Sequence, residues 1–110
     1  MSRTTTHEEE VDLSLNDILV RGRLTGLAQE KELPSGDKVS EFRIVVTRPD
    51  RDGVDTLDIA AWSSVLRRKS LSLKRDEWIE VQGSIRRRFW KGPHGLASRW
   101  QIEAHQITRL

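Results

Sequence analysis

The feature that most constrains this chain is a two-residue alternation of apolar and polar side chains, repeated in short runs separated by turn residues. Ile18, Val20, Gly22 and Leu24 alternate with Leu19, Arg21 and Arg23. Phe42, Ile44 and Val46 alternate with Arg43, Val45 and Thr47, and Leu57, Ile59 and Ala61 with Asp58, Ala60 and Trp62. Ile79, Val81, Gly83 and Ile85 follow, and a last run carries Trp100, Ile102 and Ala104 ahead of Ile107. Successive side chains of a strand point to opposite faces, so the pattern predicts strands with one buried face. Leu33-Pro34-Ser35-Gly36, the polar stretch Pro49–Gly53 and Gly92-Pro93-His94-Gly95 supply turn chemistry between runs.

Only the stretch from Ser63 to Leu73 breaks the period. There Ser63 or Ser64 is placed to cap a short helix, with Val65, Leu66 and Lys69 in its turns. The order is three strands, a helix, then two strands. The expected fold is therefore all-β: a five-stranded, partly open OB-fold barrel with a short helix between strands three and four. A chain of 110 residues holds one such domain. Residues 1–13, with Glu8, Glu9, Glu10 and Asp12, read as a flexible acidic N-terminal tail, and residues 14–110 as the domain.

Composition removes several function classes. The chain has no cysteine, which excludes disulfides and thiolate metal sites. His7, His94 and His105 have no metal-ligand spacing, and Asp50, Asp52 and Asp55 lack the terminal Glu of a calcium loop. Gly92–Gly95 lacks the Lys-Ser/Thr of a phosphate loop, and no nucleophile–base set is evident. The expectation is a protein that is not an enzyme, with no cofactor and no metal. No apolar run reaches the roughly 18 residues of a membrane span, and the N-terminus has no secretory pattern. The expected location is the cytoplasm.

The net charge of +2 says little, but its distribution says more. Arg67-Arg68-Lys69, Lys74-Arg75 and Arg86-Arg87-Arg88 are basic runs, each of which alone is equally well a solvated surface. Four of the six aromatic residues are Trp. Arg86, Arg88 and Trp90 lie at i, i+2 and i+4 of one strand and point the same way. Arg21 and Arg23 do so on the first strand, with Arg43 on the second, and Trp62 faces away from Leu57, Ile59 and Ala61. Cations that track phosphates and flat rings that stack on unpaired bases are what a single-strand binder must present on one surface. The expected DNA-binding residues are Trp62, Trp90, Arg86, Arg88, Arg21, Arg23 and Arg43. Trp100, in phase with Ile102 and Ala104, is expected to be buried. Trp78 is expected to cover the rim, and Phe89 to pack inward.

The segments 16–26 (NDILVRGRLTG), 33–36 (LPSG), 42–48 (FRIVVTR), 60–62 (AAW) and 78–90 (WIEVQGSIRRRFW) together resemble the bacterial single-stranded DNA-binding protein family. The resemblance covers about residues 16–110. It rests on a "GxL" element in strand one, a Pro-x-Gly turn, an aromatic closing strand three, and a "V-x-G-x-(L/I)-x-x-R-x-W" element in strand four. It implies that Trp62 and Trp90 fall where the family stacks bases, and Arg86 and Arg88 on its DNA-facing strand. It implies a homodimer or homotetramer, and roles in replication, repair or recombination. Thr56 and Asp50 fall near positions where family members carry further stacking tryptophans. The family's acidic C-terminal tip has no counterpart before Leu110, so the chain reads as a tailless relative, a paralogue or a truncated piece.

Three other readings compete. A primosomal-type OB protein binds both DNA and protein. An interaction module would dock an acidic partner on the arginine face, with Trp anchors. An RNA-binding OB domain would use the same surface.

Overall fold

A computed structural model describes residues 10–110; of the acidic patch Glu8–Glu10 only Glu10 falls inside that range. Residues 10–17 are exposed and belong to no strand. The elements that follow are β1 (Ile18–Leu24), β2 (Gln29–Glu32), β3 (Lys38–Thr47), β4 (Val54–Ala61), α1 (Ser64–Leu71), β5 (Trp78–Gly92) and β6 (Gly95–Arg109).

Five strands close a ring. The sheet runs β1-β5-β6-β4-β3, and β1 pairs with β3 to complete the circle. This is the expected all-β OB-fold, with the helix between the third and fourth strands of the ring. The period-2 pattern did not mark the short β2, which is exposed along its whole length. It pairs with the first half of β3, Gln29 with Glu41 through Glu32 with Lys38, around the Leu33–Gly36 turn.

Two glycines permit closure. A Cβ on Gly22 would stand 2.6 Å from the Val45 carbonyl oxygen, where β1 crosses onto β3. A Cβ on Gly83 would stand 2.0 Å from the Glu103 carbonyl oxygen. Neither approach tolerates a side chain. At Gly83 the β5–β6 register also slips: Gln82 faces Gln106 but Gly83 faces Ala104, leaving His105 unopposed. This bulge changes the phase of β6, so Ile107 and Ala104 both point inward despite their odd spacing. The core comprises Leu24, Phe42, Ile44, Ile59, Leu73, Ile79, Val81, Ile102, Ala104 and Ile107.

The helix begins as its sequence requires. The Ser63 hydroxyl accepts from the Leu66 amide at 3.2 Å, satisfying one of the free donors of the first turn. Ser70 anchors the helix on β3 through a fully buried hydroxyl pair with Ser40 at 2.7 Å. With one proton each, Ser40 donates to Ser70 while Ser70 donates to the Arg67 carbonyl at 2.8 Å.

β5 and β6 outlast the ring. β1 leaves β5 at the Ile18–Gly83 pair, and β4 pairs with β6 only at Ile102 and Glu103. Beyond those points the two strands continue as a two-stranded arm to the Pro93-His94 turn. This overturns two expectations. Trp100 does share a face with Ile102, and Phe89 with Ile85, but the barrel ends before reaching them. Trp100 is 57% exposed and Phe89 55% exposed. Trp78, the expected rim residue, is 51% exposed at the start of β5.

Candidate nucleic-acid interface

The outer face of β3, β4 and the arm frames a groove of about 450 Å³, lined by the Thr25–Leu27 loop, β2, Arg43, Asp58, Arg99 and Gln101. It runs into a second hollow of about 260 Å³ lined by Leu33, Arg88 and Trp90. Lys31, Glu41, Arg99 and Gln101 line both, so the two form one continuous channel.

Cross-strand partners share a face of a sheet. Arg86 faces Gln101, Arg88 faces Arg99 and Trp90 faces Ala97, so Arg86, Arg88 and Trp90 lie together on the groove side, as the spacing predicted. Trp90 is 43% exposed, and the Arg99 guanidinium lies 5.7 Å from its ring centroid. Trp62, half-buried just past β4, has the Arg88 guanidinium 5.1 Å from its ring centroid. Cation–π contacts of this kind contribute about 0.5–2 kcal/mol and hold each ring in place. The chain around Trp62 is held from the helix. Arg67 donates to the Trp62 carbonyl and pairs with Glu30 of β2 at 3.0 Å.

The groove cations are internally balanced. Glu41 accepts from Arg88 at 3.1 Å, from Gln101 at 2.7 Å and from Lys31 at 2.9 Å. Partial burial pushes its carboxyl pKa up. Hydrogen bonds from Lys31 and Gln101, with the charges of Lys31 and Arg88, outweigh that effect and leave it below the usual carboxylate value. Asp58 pairs with Arg43 at 2.7 Å and with Arg99 at 3.9 Å.

The predicted residues therefore divide. Trp90, Arg88 and Arg43 line the channel, and Trp62 adjoins it through the Arg88 guanidinium over its ring. Arg86 shares its side of the arm, is exposed, and forms no ion pair among the described residues. Arg21 and Arg23 stand on β1, outside the channel lining, and pair with Glu80 at 2.8 Å and Asp76 at 2.7 Å. Sequence reasoning missed Arg99, Lys31 and Glu41. The alternation around Trp100, Ile102 and Ala104 puts Arg99 on the opposite face, and that was a usable signal. For Glu41 and Lys31 there was none, because β2 is too short and polar to show a period.

Among the described residues, no group of three or more His, Asp or Glu is placed to hold a metal, and no helix is long and apolar enough to cross a membrane. The sequence profile described as the single-strand binding protein family matches residues 15–110. A search of curated proteins finds no match. Among solved structures, the fold is similar to that of the Plasmodium falciparum SSB in complex with ssDNA, with a TM-score of 0.70 and 21% identity over 92% of this chain and 99% of that one.

Proposed function

The chain belongs to the single-strand binding protein family, and from that premise we infer that it binds single-stranded DNA along the outer groove without catalysing a reaction on it. The observation that carries the reading is the channel lined by Trp90, Arg88, Arg99 and Arg43, with the Arg99 guanidinium over the Trp90 ring and that of Arg88 over the neighbouring Trp62 ring. Bases stack on the two rings while Arg43, Arg86, Arg88 and Arg99 track phosphates. Stacking is indifferent to base identity because every base has a π-face, so binding is independent of sequence. The Plasmodium protein of similar fold was solved with ssDNA, which supports the same ligand class here. The setting is replication, repair or recombination in the cytoplasm.

The chain also self-associates as a homodimer or homotetramer in this proposal. Leu13 and Leu15, ahead of β1 in the chain, and Leu19 on it are exposed and give apolar surface for another copy to cover. Light scattering at tens of micromolar checks this, and a strict monomer removes it. Quenching of Trp fluorescence by poly-dT, set against poly-rU and an acidic peptide, tests the main reading. Strong quenching by poly-dT alone supports it. A response to the peptide alone replaces it with the protein-interaction reading.

A further inference from the structure

The second hollow of the channel sets one carboxylate among its cations. Glu41 and Gln101 share its lining with Trp90, Arg88, Arg99 and Lys31. At about 260 Å³ it suits a single base rather than a stretch of strand. Trp90 supplies a flat, partly exposed wall, with the Arg99 guanidinium 5.7 Å from its ring centroid. Gln101 is buried, and its Nε2 donates to Glu41 at 2.7 Å, which fixes the carboxylate from below. A surface that only tracked phosphates would gain nothing from an anion at this point.

The donors to Glu41 are unevenly divided. Arg88 and Gln101 both reach Oε2, at 3.1 and 2.7 Å. Lys31 reaches Oε1, at 2.9 Å. Each carboxylate oxygen accepts about two hydrogen bonds, so Oε2 is filled and Oε1 is not. The Lys31 side chain is more than half exposed, so its ammonium is free to turn to a phosphate and open Oε1 further. The surrounding donors hold the carboxyl below the usual carboxylate pKa, so it stays ionised and can only accept. Thymine presents carbonyl oxygens on either side of its one N–H, and these repel such a group. Guanine presents two adjacent donors, N1–H and N2–H, next to the acceptor O6. An open carboxylate oxygen beside a guanidinium is the complement of that edge.

We propose that this hollow is a guanine-preferring subsite of the groove: Trp90 stacks the base, Glu41 Oε1 accepts from N1–H and N2–H, and Arg99 donates to O6. Stacking alone lets any sequence bind, and the hollow adds a preference at one position of the strand. Glu41 is then a specificity-determining residue. The proposal rests on the groove reading above, and its test separates the two.

Fluorescence anisotropy measures binding of a labelled oligothymidylate of about 15 nucleotides, and of the same strand with one central dG, dC or deoxyinosine. The native protein, Glu41→Gln and Trp90→Ala are compared. The native protein is expected to bind the dG strand at least about fivefold more tightly than the all-dT strand. Deoxyinosine, which lacks only the 2-amino group, should lose most of that gain, and dC should stay within about twofold of dT. Glu41→Gln should bring the dG and dT strands together, whatever it does to the affinity they share. The deoxyinosine comparison uses the native protein and carries the test if Glu41→Gln does not fold. If the dG and dT strands bind the native protein alike while Trp90→Ala weakens both, the subsite is refuted and the groove stands. If Trp90→Ala weakens neither, the groove reading falls with it. A dG preference that survives Glu41→Gln, or an equal gain for dC, also overturns the proposal. So does displacement of the all-dT strand by free dGMP at concentrations near that of the protein, which would make the hollow a site for mononucleotides.

Discussion

Arg88 and Glu41 meet at 3.1 Å on the floor of the groove, while the same guanidinium lies 5.1 Å from the Trp62 ring centroid. One cation thus orients a stacking ring and is itself held by a carboxylate that repels phosphate. Glu41→Gln keeps the hydrogen-bond acceptor and removes the charge. It is expected to tighten single-strand binding by about 0.5–1 kcal/mol, measured as Kd at low salt. Unchanged or weaker binding would place the phosphate path away from Arg88.

The same carboxylate sets a pH dependence. The folded pKa of Glu41 lies below the ordinary value, so its contribution to stability is complete above the usual carboxylate range. It is lost as pH falls through the depressed folded value. The melting-temperature difference between the native protein and Glu41→Gln should therefore be constant near neutrality and shrink below about pH 4. A difference that persists undiminished at lower pH contradicts the assignment.

Salt titration separates the arginines. Arg86 forms no ion pair among the described residues, so Arg86→Ala should reduce the slope of log K against log salt by about 0.7, the value for one phosphate contact on a single strand. Arg43→Ala and Arg88→Ala should reduce it less, because each removes a cation already partly neutralised by a carboxylate.

Trp62→Ala and Trp90→Ala should each cost about 1–3 kcal/mol of binding and leave the salt slope nearly unchanged, since stacking releases no counterions. Trp90→Ala should leave thermal stability close to native, as its ring is 43% exposed. A variant that unfolds instead would make that Trp a packing residue.

The core test compares a residue inside the barrel with one past its end. Ile59→Ala, at a fully buried position, should lower stability by about 2–5 kcal/mol. Trp100→Ala should cost well under the 3–5 kcal/mol of a buried aromatic, because its ring lies past the end of the barrel. Equal losses in the two melts would mean that something covers Trp100 in solution.

The alternation in β1, β3, β4 and β5 determined by itself which residues face inward, because side-chain direction in a strand is a local property of the backbone. The Ser63 cap and the turns at Leu33–Gly36 and Gly92–Gly95 were legible for the same reason. So was the common face of Arg86, Arg88 and Trp90, which needs only their spacing. Local periodicity carries no information on where neighbouring strands stop. Trp100 and Phe89 keep their predicted phase and yet are exposed, because β1 begins only at Ile18, opposite Gly83, and β4 meets β6 only at Ile102 and Glu103. Ion pairing is equally non-local: nothing near Arg21 or Arg23 in sequence marks Glu80 or Asp76 as partners, more than 50 residues away. Glu41 and Lys31 become neighbours of Arg88 only when β3 and the arm are brought together across the groove. The sequence determined the faces of the strands. The tertiary structure decided which faces are covered and which charges are already paired, because burial and electrostatics depend on residues distant in the chain.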